Sequence, residues 1–251
     1  MSAPPFATRL AHFRNTLRDR LGLPVTFSDA EAALVKQHMS TRDVAAARCA
    51  QLARLFGVTE TSIADSVREA EALALAGERD RVERERVHLA SPMSTDDSVS
   101  LYAVVRASRP RIAVETGTAA GASALYVLRA MEANGDAGQL HSIDLVDDPQ
   151  SIGMLIPPGS RARVRFHRGD SLAILPRLLA EIGPIDLFLH DSHHAYEHMT
   201  AEYEIALRHL KPGGILASHD VLHSNAWRHF LRRHGIERST EIRNFGICVV
   251  P

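Results

Sequence analysis

The sequence has little cysteine, no long apolar run and almost no net charge, and each of these narrows what the protein can be. Two cysteines, Cys49 and Cys248, leave room for at most one disulfide bridge, so a reducing, cytoplasmic location is expected. No apolar run approaches the roughly 20 residues that a membrane-spanning helix needs, and Met1 to Arg9 lack the apolar core of a signal peptide. A formal net charge of -1 gives no overall attraction to nucleic acid or to an anionic membrane surface.

The composition suits a globular protein, and most of its histidines lie in the second half of the chain. The chain of 251 residues is 45% apolar, enough for one large domain or for a standard domain with an appendage. Eleven of the 14 histidines lie between His141 and His234. Histidine titrates near neutrality and binds metals, and the alternative for any single one of them is a surface or helix-capping role.

Up to residue 90 the apolar residues follow a helical spacing, without the alternation that is typical of strands. We expect a helical N-terminal region (1–90) that acts as a lid, as a dimerisation element or as both, with a simple packing appendage as the alternative. The helices are predicted at Ala7–Leu21, from a capping box at Ser28, and at Asp43–Phe56, Thr61–Leu75 and Glu78–Leu89.

From residue 91 short apolar runs alternate with helical segments, which predicts an α/β domain (91–251) with a mostly parallel sheet covered on both faces. The last two strands are joined by only Asn244 and Phe245, so the final strand should be antiparallel. Strands are predicted at Arg111–Glu115, Gln139–Asp144, Arg163–His167, Ile185–His190, Gly214–His219, Glu237–Arg243 and Gly246–Val250. Helices are predicted at Ser94–Ala107, Ala122–Ala133, Ser171–Ile182, Glu197–Leu210 and Ser224–His234.

The turn after the first strand reads Glu-Thr-Gly-Thr-Ala-Ala-Gly from Glu115 to Gly121. Ligands of open α/β sheets bind beyond such strand ends. The turn lacks the middle glycine of the dinucleotide motif G-x-G-x-x-G, and Glu115 would repel a pyrophosphate. A cationic ligand, such as the sulfonium of S-adenosylmethionine, would meet no such repulsion.

The pattern E-x-G-x-x-x-G resembles the first motif of the class I S-adenosylmethionine-dependent methyltransferases. Three further matches follow in order: Asp144 ends the second strand, Gly169-Asp170-Ser171 follows the third, and Lys211-Pro-Gly-Gly214 precedes the fifth. The resemblance covers roughly residues 100–251 and implies a Rossmann-like sheet of seven strands. It further implies that Asp144 holds the ribose hydroxyls, that Asp170 lies at the adenine, and that the cofactor site comprises Glu115, Gly117, Thr118, Gly121, Ser123, Asp144, Asp170, Ser171 and Asp191.

A second cluster begins where the fourth strand ends. The run Asp191-Ser-His-His-Ala-Tyr-Glu197 resembles a subgroup that includes macrolide-sugar O-methyltransferases and cephalosporin-hydroxylase-like proteins. In that subgroup the first acid and an acidic pair after the fifth strand bind a divalent metal. Here the pair is His219-Asp220, so Asp220 matches and His219 departs. Imidazole weakens a magnesium site, which leaves three interpretations: magnesium on the two aspartates, a softer transition metal, or no metal.

A general base is expected among the histidines of this cluster, because a hydroxyl must lose its proton as it accepts a methyl group. His194 matches the histidine of the subgroup. His193 takes the place of the subgroup's second acid, which resembles a base position, and we favour it as the base. The alternative is that His193 caps the following helix.

The sequence therefore predicts O-methylation of a small molecule, sugar-like or a secondary metabolite, with S-adenosylmethionine as the donor. N-methylation uses the same site without an obligatory base. Alternatives from other classes are a non-methylating S-adenosylmethionine-binding or metal-dependent enzyme on this fold, and a nicotinamide-dependent oxidoreductase. We expect no nucleic-acid or membrane partner and a homo-oligomer formed through the N-terminal helices.

Overall fold

The computed structural model describes residues 14–15, 18–28, 44–72, 93–135, 138–146, 148 and 150–251. Near the N-terminus it contains helices α1 (Val44–Phe56) and α2 (Glu60–Ala72), close to where the sequence predicts two of its five N-terminal helices. The helices predicted from Ser28 and at Glu78–Leu89 lie outside the described residues, as does most of the helix predicted at Ala7–Leu21.

The remainder of the chain alternates between strands and helices, as its pattern predicts. The elements in chain order are α3 (Thr95–Ser108), β1 (Ile112–Thr116), α4 (Ala122–Ala133), β2 (Gln139–Asp144), a short 3-10 helix (Pro158–Arg163), β3 (Val164–Arg168), α5 (Ser171–Ile182), β4 (Ile185–His190), α6 (Tyr196–Leu207), β5 (Leu210–Ser218), α7 (Ala226–His234), β6 (Ser239–Ile242) and β7 (Phe245–Val249).

The strands form one seven-stranded sheet in the order β3-β2-β1-β4-β5-β7-β6. The five strands β1 to β5 are parallel, whereas β7 pairs antiparallel with both β5 and β6. The Rossmann-like, mostly parallel sheet with an antiparallel last strand is thus confirmed. The strand order reverses between β1 and β4, and a switch of this kind leaves a crevice at the carboxyl ends of the strands where ligands bind.

Two apolar layers cover the sheet. One contains side chains of α1 to α4, such as Leu52, Ile63 and Leu101, and the other contains side chains of α5 to α7, such as Leu179, Tyr203 and Trp227. Helices α1 and α2 therefore share a core with α3 and α4. The division of the chain at residue 90 remains a prediction, as does the role of the N-terminal region.

The fifth strand begins four residues earlier than predicted, at Leu210 instead of Gly214. The register to β4 shifts between the pairs Ile185–Leu210 and Leu187–Ile215, because the Pro-Gly-Gly turn forms a bulge. Gly213 takes a φ of +77° there, a conformation that suits glycine. The turn that resembles a family motif is thus part of the strand.

Neither cysteine is paired in the structure, since both Cys49 and Cys248 are free thiols. Burial raises the pKa of the Cys248 thiol to about 12. None of the helices within the described ranges is both long and apolar enough to cross a membrane.

Candidate active site

The loop between β1 and α4 lies at the switch in strand order and is held by backbone hydrogen bonds. The Gly117 amide donates to the carbonyl oxygen of Ile143 at 2.8 Å, next to the end of β2. Gly117 has a φ of +88°, and a Cβ at this position would lie 2.0 Å from the carbonyl oxygen of Asp191. Gly121 has a φ of +86° and begins α4. Both glycines are required by the backbone conformation of the loop.

Asp144 and Asp170 stand at the ends of β2 and β3 and line the same cavity as this loop. The Ala119 amide donates to Oδ2 of Asp144 at 2.7 Å, and the Val146 amide donates to Oδ1 at 2.8 Å. Asp170 caps α5 by accepting from the Leu172 amide at 2.8 Å. Main-chain donors therefore fix the orientation of both carboxylates. Such fixed orientation is what a pre-organised ligand site requires.

Glu115 lies behind the loop, is fully buried, and is not among the residues that line the cavity. Its two carboxylate oxygens accept from the hydroxyls of Ser142 at 2.6 Å and Ser123 at 2.8 Å. Burial raises the pKa of Glu115 to about 7, and these hydrogen bonds only partly oppose that effect. Its geometry is that of a support beneath the loop, whereas Ser123 and Thr118 reach the cavity.

One cavity of about 430 Å³ joins the predicted cofactor residues to the predicted acceptor residues. Gly117, Thr118, Ser123, Asp144, Asp170 and Ser171 line one side, and Asp191, His193, His194 and Asp220 line the other. The volume falls within the range of small-molecule sites. Among the described residues, four aspartates and no lysine or arginine line this cavity, so its charge favours a cationic ligand.

Asp191, His219 and Asp220 form a compact cluster, which we call the Asp-His-Asp triad. One potential ligand atom of each lies within 4.8 Å of the others. Nδ1 of His219 is 2.9 Å from Oδ1 of Asp191 and 3.6 Å from Oδ2 of Asp220. Asp220 has a φ of +55°, and the side-chain amide of Asn244 donates to its Oδ1. The ends of β4 and β5, adjacent in the sheet, thus bring the predicted metal ligands together.

Electrostatics in the triad depend on His219, which is almost completely buried. Burial alone would lower the pKa of His219, but the carboxylate of Asp191, aided by Asp97 and Asp220, raises it to about 10. For Asp220, burial would raise the pKa, whereas His223, His219 and His194 lower it well below its ordinary value. The carboxylates of the triad therefore require a positive partner, either a protonated imidazole or a cation.

The residues of the triad fit a divalent metal. They provide two carboxylates and one imidazole nitrogen, which are established ligands for divalent metals. The other ring nitrogen of His219, Nε2, lies 3.4 Å from Oδ2 of Asp97, which is the usual arrangement behind a metal-binding histidine. The donor set is harder to reconcile with magnesium, which prefers oxygen ligands throughout.

His193 and His194 differ strongly in their surroundings. His193 is exposed and lines the cavity, with its ring edge-on to that of His198 at a centroid distance of 5.3 Å. His194 is largely enclosed, and its Nε2 lies 3.2 Å from Oδ2 of Asp220. Burial, reinforced by His190, lowers the pKa of His194 to about 3. His194 is therefore a neutral neighbour of the triad, whereas His193 is the more exposed of the two histidines on the cavity.

Glu202, on α6, was not predicted as a site residue, yet it connects both sides of the cavity. Its side chain is fully buried. Five side chains place a polar atom within hydrogen-bond distance of its two carboxylate oxygens: Thr116, Ser171, His190, Ser192 and His198. Burial would raise the pKa of Glu202, but His190 and the other donors lower it well below its ordinary value.

The sequence carries a signal for one of the two missed residues, Glu202, but not for the contact that Asp97 makes. Glu202 lies between Met199 and Tyr203 on the face of α6 that packs against the sheet, where a carboxylate needs partners. Asp97 is the third helical residue after the cap Ser94. An acidic residue is common at that position of a helix, but helix capping does not explain the contact of Asp97 with His219. That contact joins elements far apart in the sequence, and no local pattern predicts it.

Comparison with known families gives a match over the part of the chain that builds this cavity. Residues 114–221 match the sequence model of a family described as a methyltransferase domain. The matched segment begins in β1 and ends just after β5, so it contains the loop, both strand-end aspartates and the Asp-His-Asp triad. A comparison with curated proteins gave no significant match.

Among solved structures, similar folds occur in several O-methyltransferases. A candidate O-methyltransferase from Klebsiella pneumoniae is 22% identical, with a TM-score of 0.54 over 68% of this chain and 88% of that one. An O-methyltransferase from Bacillus cereus in complex with SAH is 17% identical, with a TM-score of 0.53 over 76% and 91%. TomG of Streptomyces achromogenes, an O-methyltransferase of tomaymycin synthesis solved with SAM, is 21% identical, with a TM-score of 0.50 over 64% and 82%. At these identities the likeness establishes the fold.

Proposed function

Because residues 114–221 match the model of a methyltransferase-domain family, we propose that the protein transfers a methyl group from S-adenosylmethionine to a hydroxyl group of a small molecule. The observation that carries this proposal is the single cavity that joins the β1–α4 loop, Asp144 and Asp170 to Asp191 and His193. A donor held on the first side would present its methyl group to an acceptor held on the second. Orientation of this kind accounts for much of the rate of a two-substrate reaction.

The cofactor side suits S-adenosylmethionine better than a dinucleotide. S-adenosylmethionine supplies an electrophilic methyl group on a positively charged sulfur. The aspartates of the cavity favour that charge, and no lysine or arginine of the described chain is there to hold a pyrophosphate. We assign Asp144 to the ribose hydroxyls, since a carboxylate fixed by two amides still has free lone pairs to accept from them.

On the acceptor side, we assign His193 as the general base. It lies on the cavity, it is exposed, and no carboxylate of the triad engages it in the described structure. Removal of the hydroxyl proton by a histidine is worth about 10²- to 10⁴-fold in rate. His194 is less suited to the role, because its pKa near 3 makes it a weak base.

We also propose that the Asp-His-Asp triad holds a divalent metal. Asp191 and Asp220 line the cavity, so an ion between them would be reached by the acceptor. The metal would supply a Lewis acid that orients the acceptor oxygen and lowers the pKa of its hydroxyl. Asp191 would then contribute to both the cofactor side and the metal site, as its position between them allows.

The N-terminal region (1–90) contributes, on this proposal, a cover for the site or a surface for self-association. Its described part supports the first role: Thr26 forms a β-bridge with Ser224, and its hydroxyl accepts from the Tyr196 amide at 3.0 Å. These contacts place the segment beside the loop that follows Asp220. Light scattering of the full chain tests self-association. We propose a cytoplasmic location because both cysteines are free.

Cofactor choice is tested by calorimetric titration with S-adenosylhomocysteine and, separately, with NAD. We expect S-adenosylhomocysteine to bind and NAD not to bind. The Asp144→Asn variant should weaken S-adenosylhomocysteine binding while the fold is retained. Tight NAD binding without S-adenosylhomocysteine binding would overturn the proposed function in favour of an oxidoreductase.

Acceptor chemistry is tested with methyl-labelled S-adenosylmethionine and a panel of hydroxylated small molecules, including sugar-like ones, beside matched amines. For the accepted compound, we expect His193→Gln to lower kcat by about 10²- to 10⁴-fold with unchanged S-adenosylhomocysteine affinity. His209→Gln, a histidine that does not line the cavity, is the control. Label on amines alone, or full turnover by His193→Gln, would contradict O-methylation with this base.

A further inference from the structure

We infer that Asp97 orients His219 as a nitrogen ligand, and that the Asp-His-Asp triad therefore selects a transition-metal ion over Mg²⁺. The inference rests on the proposed function only in taking the triad as a metal site. Asp97 belongs to α3, which precedes the matched methyltransferase segment, and no prediction from the sequence assigned it a role.

The first observation is the direction of the His219 ring. Nδ1 faces the triad, 2.9 Å from Oδ1 of Asp191, while Nε2 faces Asp97, 3.4 Å from its Oδ2. In neutral imidazole one nitrogen carries the proton and the other has a free lone pair. A carboxylate next to Nε2 holds the proton there, and it leaves the Nδ1 lone pair directed at the space between Asp191 and Asp220. This is the carboxylate–histidine–metal arrangement.

The second observation concerns Asp97 itself, whose carboxyl side chain is buried. Part of its environment is explained by the start of α3. The Asp97 amide donates to the hydroxyl oxygen of Ser94 at 3.1 Å, and that hydroxyl lies 2.5 Å from Oδ2. Oδ1, however, is buried and has no hydrogen-bond partner in the described part of the chain. Helix capping therefore does not account for the whole side chain. The imidazole of His219 is a second polar neighbour of this buried carboxyl group, beside the cap.

The third observation is the chemistry of the donor set. A site with an imidazole nitrogen prefers transition-metal ions, whereas Mg²⁺ demands oxygen ligands in near-octahedral geometry. Asp220 is also held from outside the triad, since the side-chain amide of Asn244 donates to its Oδ1. Two of the three ligands are thus fixed by neighbours, and such support raises the affinity for the metal that the donor atoms favour.

The experiment measures metal binding by the full chain, independently of turnover. Dissociation constants for Co²⁺, Mn²⁺ and Mg²⁺ are obtained by equilibrium dialysis, and the visible absorption spectrum of bound Co²⁺ reports its ligands. We expect Co²⁺ and Mn²⁺ to bind more tightly than Mg²⁺. Asp97→Asn, which keeps the size of the side chain, should weaken Co²⁺ binding by about 10- to 100-fold. His219→Asn, which offers an oxygen instead of a nitrogen, should alter the Co²⁺ spectrum and reduce the preference over Mg²⁺.

Asp96→Asn is the matched control, because it makes the same chemical change on the same helix at a side chain that pairs with Arg48 at 3.3 Å instead of with His219. It should leave Co²⁺ affinity and the Co²⁺ spectrum unchanged. Equal loss of Co²⁺ affinity in Asp96→Asn and Asp97→Asn would overturn the assignment of Asp97, as would tighter binding of Mg²⁺ in the wild type. If no divalent metal binds while S-adenosylhomocysteine binds normally, the metal inference fails and the methyltransferase proposal stands. Absence of S-adenosylhomocysteine binding is instead the failure of the proposed function.

Discussion

The two sides of the cavity are built by different physical means. On the cofactor side, the loop and its aspartates are fixed by main-chain amides, as in the bonds from Ala119 and Val146 to Asp144. On the acceptor side, side chains fix one another, as His219 does with Asp191 and as His194 does with Asp220. The first side depends on backbone conformation, and the second depends on charge balance among buried groups.

The two sides should therefore be sensitive to different changes. Main-chain donors are insensitive to protonation, so the cofactor side should tolerate changes of pH unless its backbone is displaced. Buried carboxylates and histidines exchange charge with one another, so removal of one member leaves another without a partner. Glu202 is the exception that joins the two sides, because it is in contact with Thr116 and Ser171 on one and with His190, Ser192 and His198 on the other.

The largest effect is expected for Glu202→Gln, which should damage both sides of the cavity at once. Each carboxylate oxygen is within hydrogen-bond distance of at least two side chains, and the amide nitrogen of glutamine would face groups that donate. Loss of a buried charge that others depend on costs about 3–5 kcal/mol. Chemical denaturation at neutral pH measures the free energy of unfolding, and S-adenosylhomocysteine titration measures the cofactor side.

Glu204→Gln is the control for that variant, since it makes the same chemical change on the same helix. Glu204 is partly exposed and pairs with His234 at 2.8 Å and with Arg233 at 3.6 Å. Its loss should change the free energy of unfolding by no more than about 1 kcal/mol. Similar values for the two variants would show that Glu202 does not join the two sides.

The same difference explains how much could be predicted from the sequence. Strands Gln139–Asp144 and Ile185–His190 were predicted to the residue, because buried apolar runs are bounded by clear turns. The loop after β1 was also predicted, because its glycines meet a backbone requirement that is local. The contacts of Asp97 and Glu202 were not, since each joins residues from several elements and depends on tertiary packing. For Glu115, the motif predicted its position after the first strand but not that its side chain points away from the cavity.

Glu115 is a buried acid beneath the cofactor loop, and its titration shows how pH affects this side of the cavity. Glu115 has an ordinary pKa of 4.5 when unfolded and a pKa of about 7 when folded, because it is buried. The folded state therefore binds the proton more tightly between these values. Its contribution to stability is complete below pH 4.5 and is lost as the pH rises through 7, a change of about 3 kcal/mol. Glu115→Gln, which stays uncharged, should lack this loss.

The measurement is the free energy of unfolding at pH 5 and pH 8 in both proteins, so that titrations common to the two cancel. Glu237→Gln, an exposed position, should leave the pH dependence of the wild type unchanged. S-adenosylhomocysteine affinity should also survive in Glu115→Gln, because this side chain does not line the cavity. A wild-type pH dependence in Glu115→Gln would contradict the raised pKa, and loss of cofactor binding would place Glu115 in direct contact with the ligand.

The smallest change in stability, and the most selective one, is expected for Gly117→Ala. The new Cβ would lie 2.0 Å from the carbonyl oxygen of Asp191, so the loop and the end of β4 must move apart at about 1–3 kcal/mol. Because that movement displaces main-chain groups, S-adenosylhomocysteine binding should be lost although most of the stability remains. Gly159→Ala, where nothing lies within 4 Å of the added Cβ, is the control and should bind normally. If Gly117→Ala bound the cofactor like the wild type, backbone conformation would not be what fixes this side, and the contrast with the histidine-rich side would disappear.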